Sequence, residues 1–387
     1  MALRKLKAVL LAGATTVGLV AVAIPGSAAT VRHASGVNWS TVTTLTKSGP
    51  TSMAALVAAA KKEGHLNVIA LPNNWANYGA IISSFSKLYH ISVNSANPDG
   101  SSQDELNAIK SDAGRSDDPD VIDVGQSFAI EAANQGYLAP YRVTTWAAIP
   151  AGQKAPGADW YGDYGGYVAI GCDSKTVKVC PTSFKQMLKP GMGYKIGINN
   201  NPTESAAAFA AVWGAALASG GSLNNIKPGV DWFQKLNKAG NFVPTVAGTA
   251  TVQSGATNIV IWWDYLQASE IQALPGYAKR WKVAIPTDAS FAEYYDQAIN
   301  KGAPDPAAAR LWEEYLYSTA GQNLWLAGEA RPIELPYLVA NHLANAKALA
   351  ALPAAPAGVT NFPTQAQSKA AKAIVAADWP TEMGSDA

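Results

Sequence analysis

The sequence has almost no excess charge and only two cysteines. Its 387 residues carry 29 basic and 28 acidic side chains, for a formal net charge of +1. A chain so balanced has no broad positive field for nucleic acid or an acidic membrane, so nucleic acid is excluded as a partner. Cys172 and Cys180 lie in GCDSKTVKVCP and indicate one disulfide if the chain is exported, with two free buried thiols as the alternative.

Motifs for catalysis and for metal binding are also missing. The four histidines lie far apart, and none has an HExxH or HxH spacing. No GxSxG, SxxK, P-loop or CxxC sequence occurs. Carboxylates are present, but no spacing singles out a hydrolase pair. We therefore predict no catalytic residue, no metal site and no cofactor, and an exported hydrolase is the alternative from another class of protein.

The first 29 residues have the order of segments found in secretory signals. Lys5 and Lys7 form a basic start, and residues 8–24 are apolar. The small residues Ser27-Ala28-Ala29 then form a cleavage site, with cleavage predicted after Ala29. The apolar run is shorter than the roughly 20 residues that a membrane span needs. We predict a signal peptide over 1–29. No cysteine follows the run, so no lipid anchor is expected and the protein is expected to be periplasmic or secreted.

The rest of the chain alternates short apolar strands with amphipathic helices. Stretches such as LNVIAL and DVIDV are typical of buried strands, and the alternation favours parallel sheets with helices on both faces. Two strand-like stretches without a following helix, near Tyr161–Ile170 and Lys282–Ile285, suggest two crossings between paired α/β lobes. The predicted divisions are a flexible leader over 30–52, a first lobe over 53–166, a second lobe over 167–289, and a return with C-terminal helices over 290–387.

Two loops have the composition of binding-site segments. NNWANY (73–78) follows the first predicted strand, and ligands of open α/β sheets sit beyond the carboxyl ends of strands. An aromatic-capped loop without a ligand is the alternative. In NNNPTESAAA (199–208), Asn201 is predicted to cap a helix that starts at Pro202, with Glu204 in its first turn. Glu204 could equally serve only to complement the helix dipole.

Two clusters combine aromatic rings with a carboxylate, namely WWDY at 262–265 and YYD at 294–296. Ring faces attract cations by about 0.5–2 kcal/mol each, and carboxylates form charge-assisted hydrogen bonds. A cationic amine is therefore the predicted guest. Because side chains alternate along a strand, only one of Trp262 and Trp263 is expected to face the ligand.

At these segments the chain resembles family 1 extracellular solute-binding proteins of bacterial ABC importers, in the branch that binds spermidine/putrescine, ferric iron or aminoethylphosphonate. The stretches that carry the resemblance are AAKKEGHLNVIALPNNWANY, SQDELNAI, PDVIDVGQSFA, DYGGYVAIG and AINKGAPDPAAARLWEEYLYSTAGQNLWL, and it covers nearly all of 53–340. The resemblance implies an α/β, two-lobed type II periplasmic-binding architecture with the ligand cleft between the lobes. It also implies an ABC permease as partner, a monomeric receptor and no enzymatic chemistry.

The resemblance further implies that a small cationic solute, similar to a di- or polyamine, is captured for import. Together the loops, the clusters and the resemblance give these predicted ligand-binding residues: Asn74, Trp75, Tyr78, Ser127, Glu204, Trp262, Trp263, Asp264, Tyr294 and Asp296. Asn201 stands where polyamine-binding relatives have a second acidic residue. An aminophosphonate is the rival solute, with Ser101, Ser102, Ser127 and the helix start at Thr203 as donors. Ferric iron is disfavoured because Trp262-Trp263 replaces the adjacent tyrosines of iron-binding relatives.

Overall fold

The computed structural model describes residues 36–353, 356 and 362–384. The predicted signal peptide and residues 30–35 of the predicted leader lie outside the described residues. Every element discussed below belongs to the unit Val37–Ala387. None of the described helices combines the length and the apolar character that a membrane span requires.

The described residues form an α/β fold in which strands and helices alternate. The helices are α1 (Met53–Glu63), α2 (Tyr78–Tyr89), α3 (Ser102–Ser111), α4 (Gln126–Asn134), α5 (Phe184–Met187), α6 (Ala206–Ala218), α7 (Lys227–Lys238), α8 (Thr249–Ser254), α9 (Asp264–Leu266), α10 (Pro306–Leu316), α11 (Thr319–Ala327), α12 (Leu335–Ala340), α13 (Ala346–Ala351) and α14 (Gln365–Met383). The strands are β1 (His65–Ile69), β2 (Ser92–Ala96), β3 (Val121–Gly125), β4 (Leu138–Ala139), β5 (Tyr161–Asp173), β6 (Ile196–Ile198), β7 (Phe242–Val246), β8 (Ile259–Trp263), β9 (Trp281–Ala284), β10 (Ala292–Asn300) and β11 (Arg331–Pro332). Short 3-10 turns lie at Trp39–Thr41, Trp146–Ala148 and Ala151–Gln153, and a π-helix at Gln267–Gln272.

Strand β5 passes from one sheet into the other and so joins two lobes. Its first half, up to Tyr167, pairs with β10, which also pairs with β3. Its second half, from Val168, pairs with β8, which continues through β6 to β7. We call the part built on β1–β4 and β10 the first lobe, and the part built on β6–β9 the second lobe. The chain returns to the first lobe between β9 and β10.

The parallel pairing predicted from the alternation of strands and helices is present, and antiparallel pairing is added at the crossing strands. Strand β1 pairs with β2, and β6 with β7 and β8, in parallel, as βαβ connections require. Strand β10 runs antiparallel to both β3 and β5, and β5 runs antiparallel to β8. A strand that returns from one lobe to the other must enter the sheet in the opposite direction, so mixed sheets follow from the two-lobe connectivity.

Local sequence signals set several helix ends. Helix α1 begins after Ser52, whose Oγ accepts the Ala55 N–H, and ends at Gly64, where φ is 78°. A left-handed residue of this kind is the usual helix stop, and glycine adopts it without strain. Helix α6 is apolar on every face and all but its last two residues are buried, which places it in the core of the second lobe.

The predicted start of α6 is wrong. The Asn201 Oδ1 accepts the N–H and the hydroxyl of Thr203, at 2.9 and 2.8 Å, and so forms a local turn. Ser205 is the actual N-cap, since its Oγ accepts the Ala208 N–H at 3.3 Å. Pro202 and Glu204 therefore precede the helix.

The predicted leader is ordered over the part that the structure describes. Trp39 is buried, and Arg310 of α10 donates to the carbonyl oxygens of Val42 at 2.7 Å and Ser40 at 3.0 Å. The leader prediction is therefore wrong from residue 37 onward, because composition cannot show a partner so far along the chain. Cys172 and Cys180 form a disulfide with their Cα atoms 5.7 Å apart.

Candidate functional site

A cavity of about 260 Å³ lies between the two lobes. The first lobe contributes Ala70, Pro72, Asn74, Trp75, Pro98, Asp99, Gly100, Ser101, Ser102, Glu105, Asp123 and Tyr295. The second lobe contributes Asn199, Asn200, Ser205, Ala206, Val246, Ala247, Gly248, Thr249, Ala250, Trp262 and Glu270. Most of these residues follow or occupy the carboxyl ends of β1, β2, β3, β6, β7 and β8, which is where open α/β folds hold ligands, whereas Tyr295 lies on β10 and Glu270 on the π-helix.

We call this cavity the cleft. The two lobes touch at one of its edges. The Gln103 N–H, in the first turn of α3, donates to the Glu204 carbonyl of the second lobe at 3.1 Å. Gly125 lies so near Ala206 that a Cβ added to the glycine would lie 2.4 Å from the alanine Cβ. Any larger residue at Gly125 would separate the lobes. The structure therefore shows the cleft with its walls in contact.

Three aromatic rings form the wall that crosses from one lobe to the other. Trp75 of the first lobe lies edge to face with Trp262 of the second, with 5.7 Å between centroids. It also meets Tyr295 edge to face at 5.8 Å. The Trp75 indole N–H donates to the Tyr164 hydroxyl at 2.8 Å, which fixes the ring. The Trp262 indole N–H is buried and has no hydrogen-bond partner among the described residues.

Two carboxylates lie at the floor of the cleft. Glu105 of α3 accepts the Asp123 backbone N–H at 2.9 Å, so the two side chains are held next to each other. The Asp123 Oδ2 accepts the hydroxyls of Tyr78 at 2.8 Å and Tyr164 at 2.9 Å. Both carboxylates are at least 95% buried (Glu105 2% and Asp123 5% exposed), yet both line the cavity. We call Glu105 and Asp123 the floor pair.

Burial disfavours the charged form of the floor pair. It raises the pKa of Asp123 to about 7, although the hydrogen bonds from Tyr78, Tyr164 and Asp163 act in the opposite direction. Burial, followed by the charge of Asp123, holds the pKa of Glu105 well above its usual value. An added positive charge in the cleft would favour ionisation of both groups.

A second pair of carboxylates lies at the rim of the cleft, with one member on each lobe. Asp99 of the first lobe is exposed, and Glu270 of the second lobe is buried. Burial, with a smaller contribution from the charge of Asp99, raises the pKa of Glu270 to about 7. We call Asp99 and Glu270 the rim pair. Among the described residues that line the cleft there is no Lys, Arg or His to balance these four acids.

The structure brings three of the predicted ligand-binding residues into the cleft, namely Asn74, Trp75 and Trp262. Trp263, the neighbour of Trp262, points into the core and stacks on Tyr265 with 6.4 Å between centroids. Only one of the two adjacent tryptophans therefore lines the cleft, as strand alternation requires.

Two predicted first-lobe residues lie behind the cleft instead of in it. Tyr78 is fully buried, and it supports the floor by donating to Asp123. Ser127 is buried in α4 and does not line the cavity. Tyr78 comes after β1 and Ser127 after β3, two strands that end at the cleft, but both side chains are turned toward the core.

Three other predicted residues lie outside the cleft. The Glu204 side chain is exposed, because residues 201–204 form a turn and not the first turn of α6. Asp264 forms an ion pair with Arg331 at 2.6 Å and accepts the Tyr167 N–H at 2.9 Å, beside a separate open groove of about 990 Å³. Tyr294 stacks on Phe362 with 5.5 Å between centroids.

Asp296 also fails to reach the cleft. It is fully buried, and neither carboxylate oxygen has a hydrogen-bond partner among the described residues. Burial, followed by the charge of Glu293, holds its pKa well above the usual value. Tyr295, one residue earlier, lines the cleft. The prediction therefore chose Tyr294 and Asp296, which lie on the opposite face of β10. The pairing of β10 with β5 shifts register between these two residues.

The residues that sequence analysis missed are the two acid pairs and Tyr295. Asp123 carried one available signal, since it is the only charged residue within the apolar strand VIDVG. A carboxylate buried in a strand requires partners or a function. Glu105 and Glu270 lie on helices whose sequence gives no sign that they face the cleft.

The described residues contain no group of three or more His, Cys, Asp or Glu side chains arranged to hold a metal ion. The cleft instead offers carboxylates, ring faces, hydroxyls and amides. Nothing in this set forms a nucleophile with an adjacent base.

Comparison with known proteins gives the family. Residues 116–357, more than half of the chain, match the family of bacterial extracellular solute-binding proteins. No curated protein matches the chain. Among solved structures, an ABC transporter substrate-binding protein from Bradyrhizobium japonicum has a TM-score of 0.64 at 16% identity, with 83% of this chain and 99% of that chain covered.

Two further structures share the fold. The periplasmic binding protein AfuA from Actinobacillus pleuropneumoniae, with fructose-6-phosphate bound, has a TM-score of 0.63 at 17% identity, with 82% of this chain and 98% of that chain covered. A ferric binding protein from Campylobacter jejuni has a TM-score of 0.62 at 14% identity, with coverage of 82% and 99%. These are two-lobed binding proteins and not enzymes, and the type II periplasmic-binding architecture predicted from the sequence is confirmed. The chain belongs to the bacterial extracellular solute-binding proteins, the solute-capturing components of ABC importers.

Proposed function

We propose that the protein captures a small organic dication, similar to a di- or polyamine, and delivers it to an ABC permease. The observation that carries the proposal is the chemistry of the cleft. Four carboxylates and three aromatic rings line it, and no basic side chain does so among the described residues. Carboxylates and ring faces are the groups that bind organic ammonium ions.

The arrangement of the acids favours two separated positive charges over one. Burial is the main cause of the raised pKa of Glu105 and of Glu270, and the charge of the neighbouring acid, Asp123 or Asp99, adds to it. The floor is buried, whereas Asp99 is exposed, so the pairs lie at different depths. An elongated solute with an ammonium group at each end would satisfy both pairs, with its methylene groups near Trp75 and Trp262.

Anionic solutes are disfavoured by the same residues. A phosphonate or sugar phosphate would be placed among four carboxylates, which repel it. Of the hydroxyls named for this rival, that of Ser101 donates to the Asp104 carboxylate at 2.9 Å, that of Thr203 donates to the Asn201 Oδ1 at 2.8 Å, and that of Ser127 does not line the cavity. The fructose-6-phosphate bound by AfuA therefore does not transfer to this chain as a candidate.

Ferric iron is disfavoured by the aromatic residues. The one tyrosine that lines the cleft is Tyr295, and burial holds the pKa of its hydroxyl well above the usual value. A phenolate ligand is therefore costly to form there. Trp75 and Trp262 offer no oxygen. The ferric binding protein from Campylobacter jejuni shares the fold, and its ligand does not transfer.

The proposal includes export, a permease partner and a monomeric state. A two-lobed receptor presents its solute to a membrane permease, and a single copy provides both walls of the cleft. Export to the periplasm or the cell exterior follows from the family and from the predicted signal peptide. Size-exclusion chromatography with light scattering would measure the oligomeric state directly.

Calorimetric titration tests the proposed solute class. Putrescine and spermidine are expected to bind, whereas aminoethylphosphonate and ferric citrate are not. Asp123→Asn and Glu270→Gln should each weaken amine binding by roughly 10- to 100-fold, because each removes a charge-assisted contact. Glu204→Gln is the matched control, since its side chain is exposed outside the cleft. Tight binding of the phosphonate or of ferric citrate, or amine binding that neither cleft variant changes, would overturn the proposal.

A further inference from the structure

The C-terminal helix α14 lies beyond the part of the chain that matches the family. That match ends at residue 357, and α14 runs over Gln365–Met383. Its start is fixed by a capping box, in which the Thr364 Oγ1 accepts the Gln367 N–H and the Gln367 side chain accepts the Thr364 N–H. Its buried residues are Ser368, Ala371, Val375, Trp379 and Met383, which form one face of the helix.

Helix α14 is anchored in the second lobe by an aromatic contact and by polar contacts. Trp379 is fully buried and meets Phe233 of α7 with 5.2 Å between ring centroids. Lys227 at the start of α7 pairs with Glu382 of α14. Gln367 donates to the Asn224 side chain of the same lobe at 3.0 Å.

The same helix is attached to the first lobe by polar contacts. Lys372 pairs with Glu131 of α4 at 2.6 Å, and its Nζ lies 3.3 Å from the centroid of the Phe128 ring. The Ser368 hydroxyl lies 2.8 Å from the Gln126 Oε1, and both side chains are buried. Helix α4 begins directly after β3, the strand that carries the floor residue Asp123.

We propose that α14 is a strap that restrains the opening of the cleft. A rotation that separates the lobes moves α4 away from α7, so α14 must release one of them. The contacts with α4 are polar and can be replaced by water, whereas the aromatic contacts with α7 cannot. The strap therefore stays on the second lobe and detaches from the first. This holds whichever solute the cleft binds, and so is independent of the proposed function.

The Gln103 amide reports opening without any ligand. It lies at the start of α3, where an N–H has no partner within the helix, and it donates only across the lobes to the Glu204 carbonyl. Its hydrogen exchange therefore follows separation of the lobes. Lys372→Met breaks the pair with Glu131 and keeps the aliphatic stem. We expect it to accelerate exchange at Gln103 by roughly 3- to 10-fold, the range for one partly buried ion pair with a cation–π contact.

Lys369→Met is the matched control, because Lys369 is an exposed lysine on the same helix. It should leave exchange at Gln103 unchanged. Glu131→Gln should repeat the effect of Lys372→Met, and the double variant should add little to either single one. Unchanged hydrogen exchange at Gln103 in Lys372→Met would show that α14 packs on the lobes without restraining their separation. Equal acceleration in the core strands β3 and β5 would show a general loss of stability, and would also overturn the proposal.

Discussion

Two groups of acidic side chains in the described part of the chain have no ion pair with a base, and they differ in access to solvent. The cleft acids are the floor and rim pairs, Glu105, Asp123, Asp99 and Glu270. We call Glu293 and Asp296, two buried residues of β10 that do not line the cleft, the enclosed acids. A cation that enters between the lobes can reach the first group only. The same side-chain chemistry is therefore suited to binding in one place and is a cost to stability in the other.

The enclosed acids can be tolerated only in their neutral form. Burial raises the pKa of Glu293 to about 8, and it holds that of Asp296 well above the usual value. Placing an unpaired charge in a protein interior is strongly unfavourable, and protonation avoids it. The cleft acids Asp123 and Glu270, with pKa values of about 7, lie at the point where a bound cation decides their state.

The largest expected effect is on stability. Since the folded-state pKa of Glu293 is raised above its unfolded value, its contribution to stability is fully present below about pH 4.5 and is lost as the pH rises through about 8. Glu293→Gln keeps the shape and cannot ionise. We expect it to raise the free energy of unfolding by about 2–5 kcal/mol at pH 8 and by little at pH 5. Urea unfolding at both pH values measures this difference.

The conservative control is Glu204→Gln, whose side chain is exposed and should give no pH-dependent change. A stabilisation by Glu293→Gln that is equal at pH 5 and pH 8 would mean that packing and not ionisation is responsible. In that case the distinction between the two groups of acids would not hold.

The second prediction concerns the cleft acids and the pH dependence of binding. A bound cation lowers the pKa of Asp123 and Glu270, so the complex holds fewer protons than the free protein. Affinity should therefore fall as the pH decreases, and below about pH 7 Asp123 and Glu270 should each contribute about a tenfold loss per unit. These two groups alone should raise the Kd for putrescine or spermidine by about 100-fold between pH 8 and pH 6. Titration across this range measures it.

The variant Glu270→Gln separates the contribution of Glu270 to this pH dependence from that of the floor pair. The variant should bind more weakly at pH 8, and its affinity should depend less steeply on pH, because only Asp123 and Glu105 then titrate. Calorimetry in two buffers of different ionisation enthalpy counts the protons released. An affinity that does not change between pH 8 and pH 6 would show that the free cleft is already ionised, and would remove the contrast with the enclosed acids.

Local patterns predicted much of the fold, because its causes are local. The bounds of α1 follow from Ser52 and Gly64, and the alternation of strands and helices gave the two-lobed class. The floor and rim pairs could not be found in this way. Asp123 reaches the cleft because β3 ends there, and Glu270 reaches it through a π-helix on the other lobe. Asp123 and Glu270 lie on different lobes, so they line one cavity only when the two lobes pack against each other.

The error at β10 shows the same limit on a smaller scale. Tyr294, Tyr295 and Asp296 are adjacent, and a shift of one residue exchanges the faces of a strand. The pairing of β10 with β5 shifts register between Tyr294 and Asp296, and sequence composition does not reveal such a shift. As a result, the ring at 295 faces the cleft and the carboxylate at 296 is enclosed.

The smallest expected effect separates the two adjacent tryptophans. Trp262→Phe keeps an aromatic ring in the cleft but removes the indole N–H, which has no partner among the described residues, and the more electron-rich ring face. Affinity for the amine should fall by roughly 3- to 10-fold, the range for weakening one cation–π contact. Trp263→Phe is the matched control, because that side chain packs in the core against Tyr265. It should lower the Tm through the cavity it creates while leaving the Kd nearly unchanged. If instead Trp263→Phe weakens binding as much as Trp262→Phe does, the ring at 262 acts by packing, and the cation must be held by the carboxylates alone.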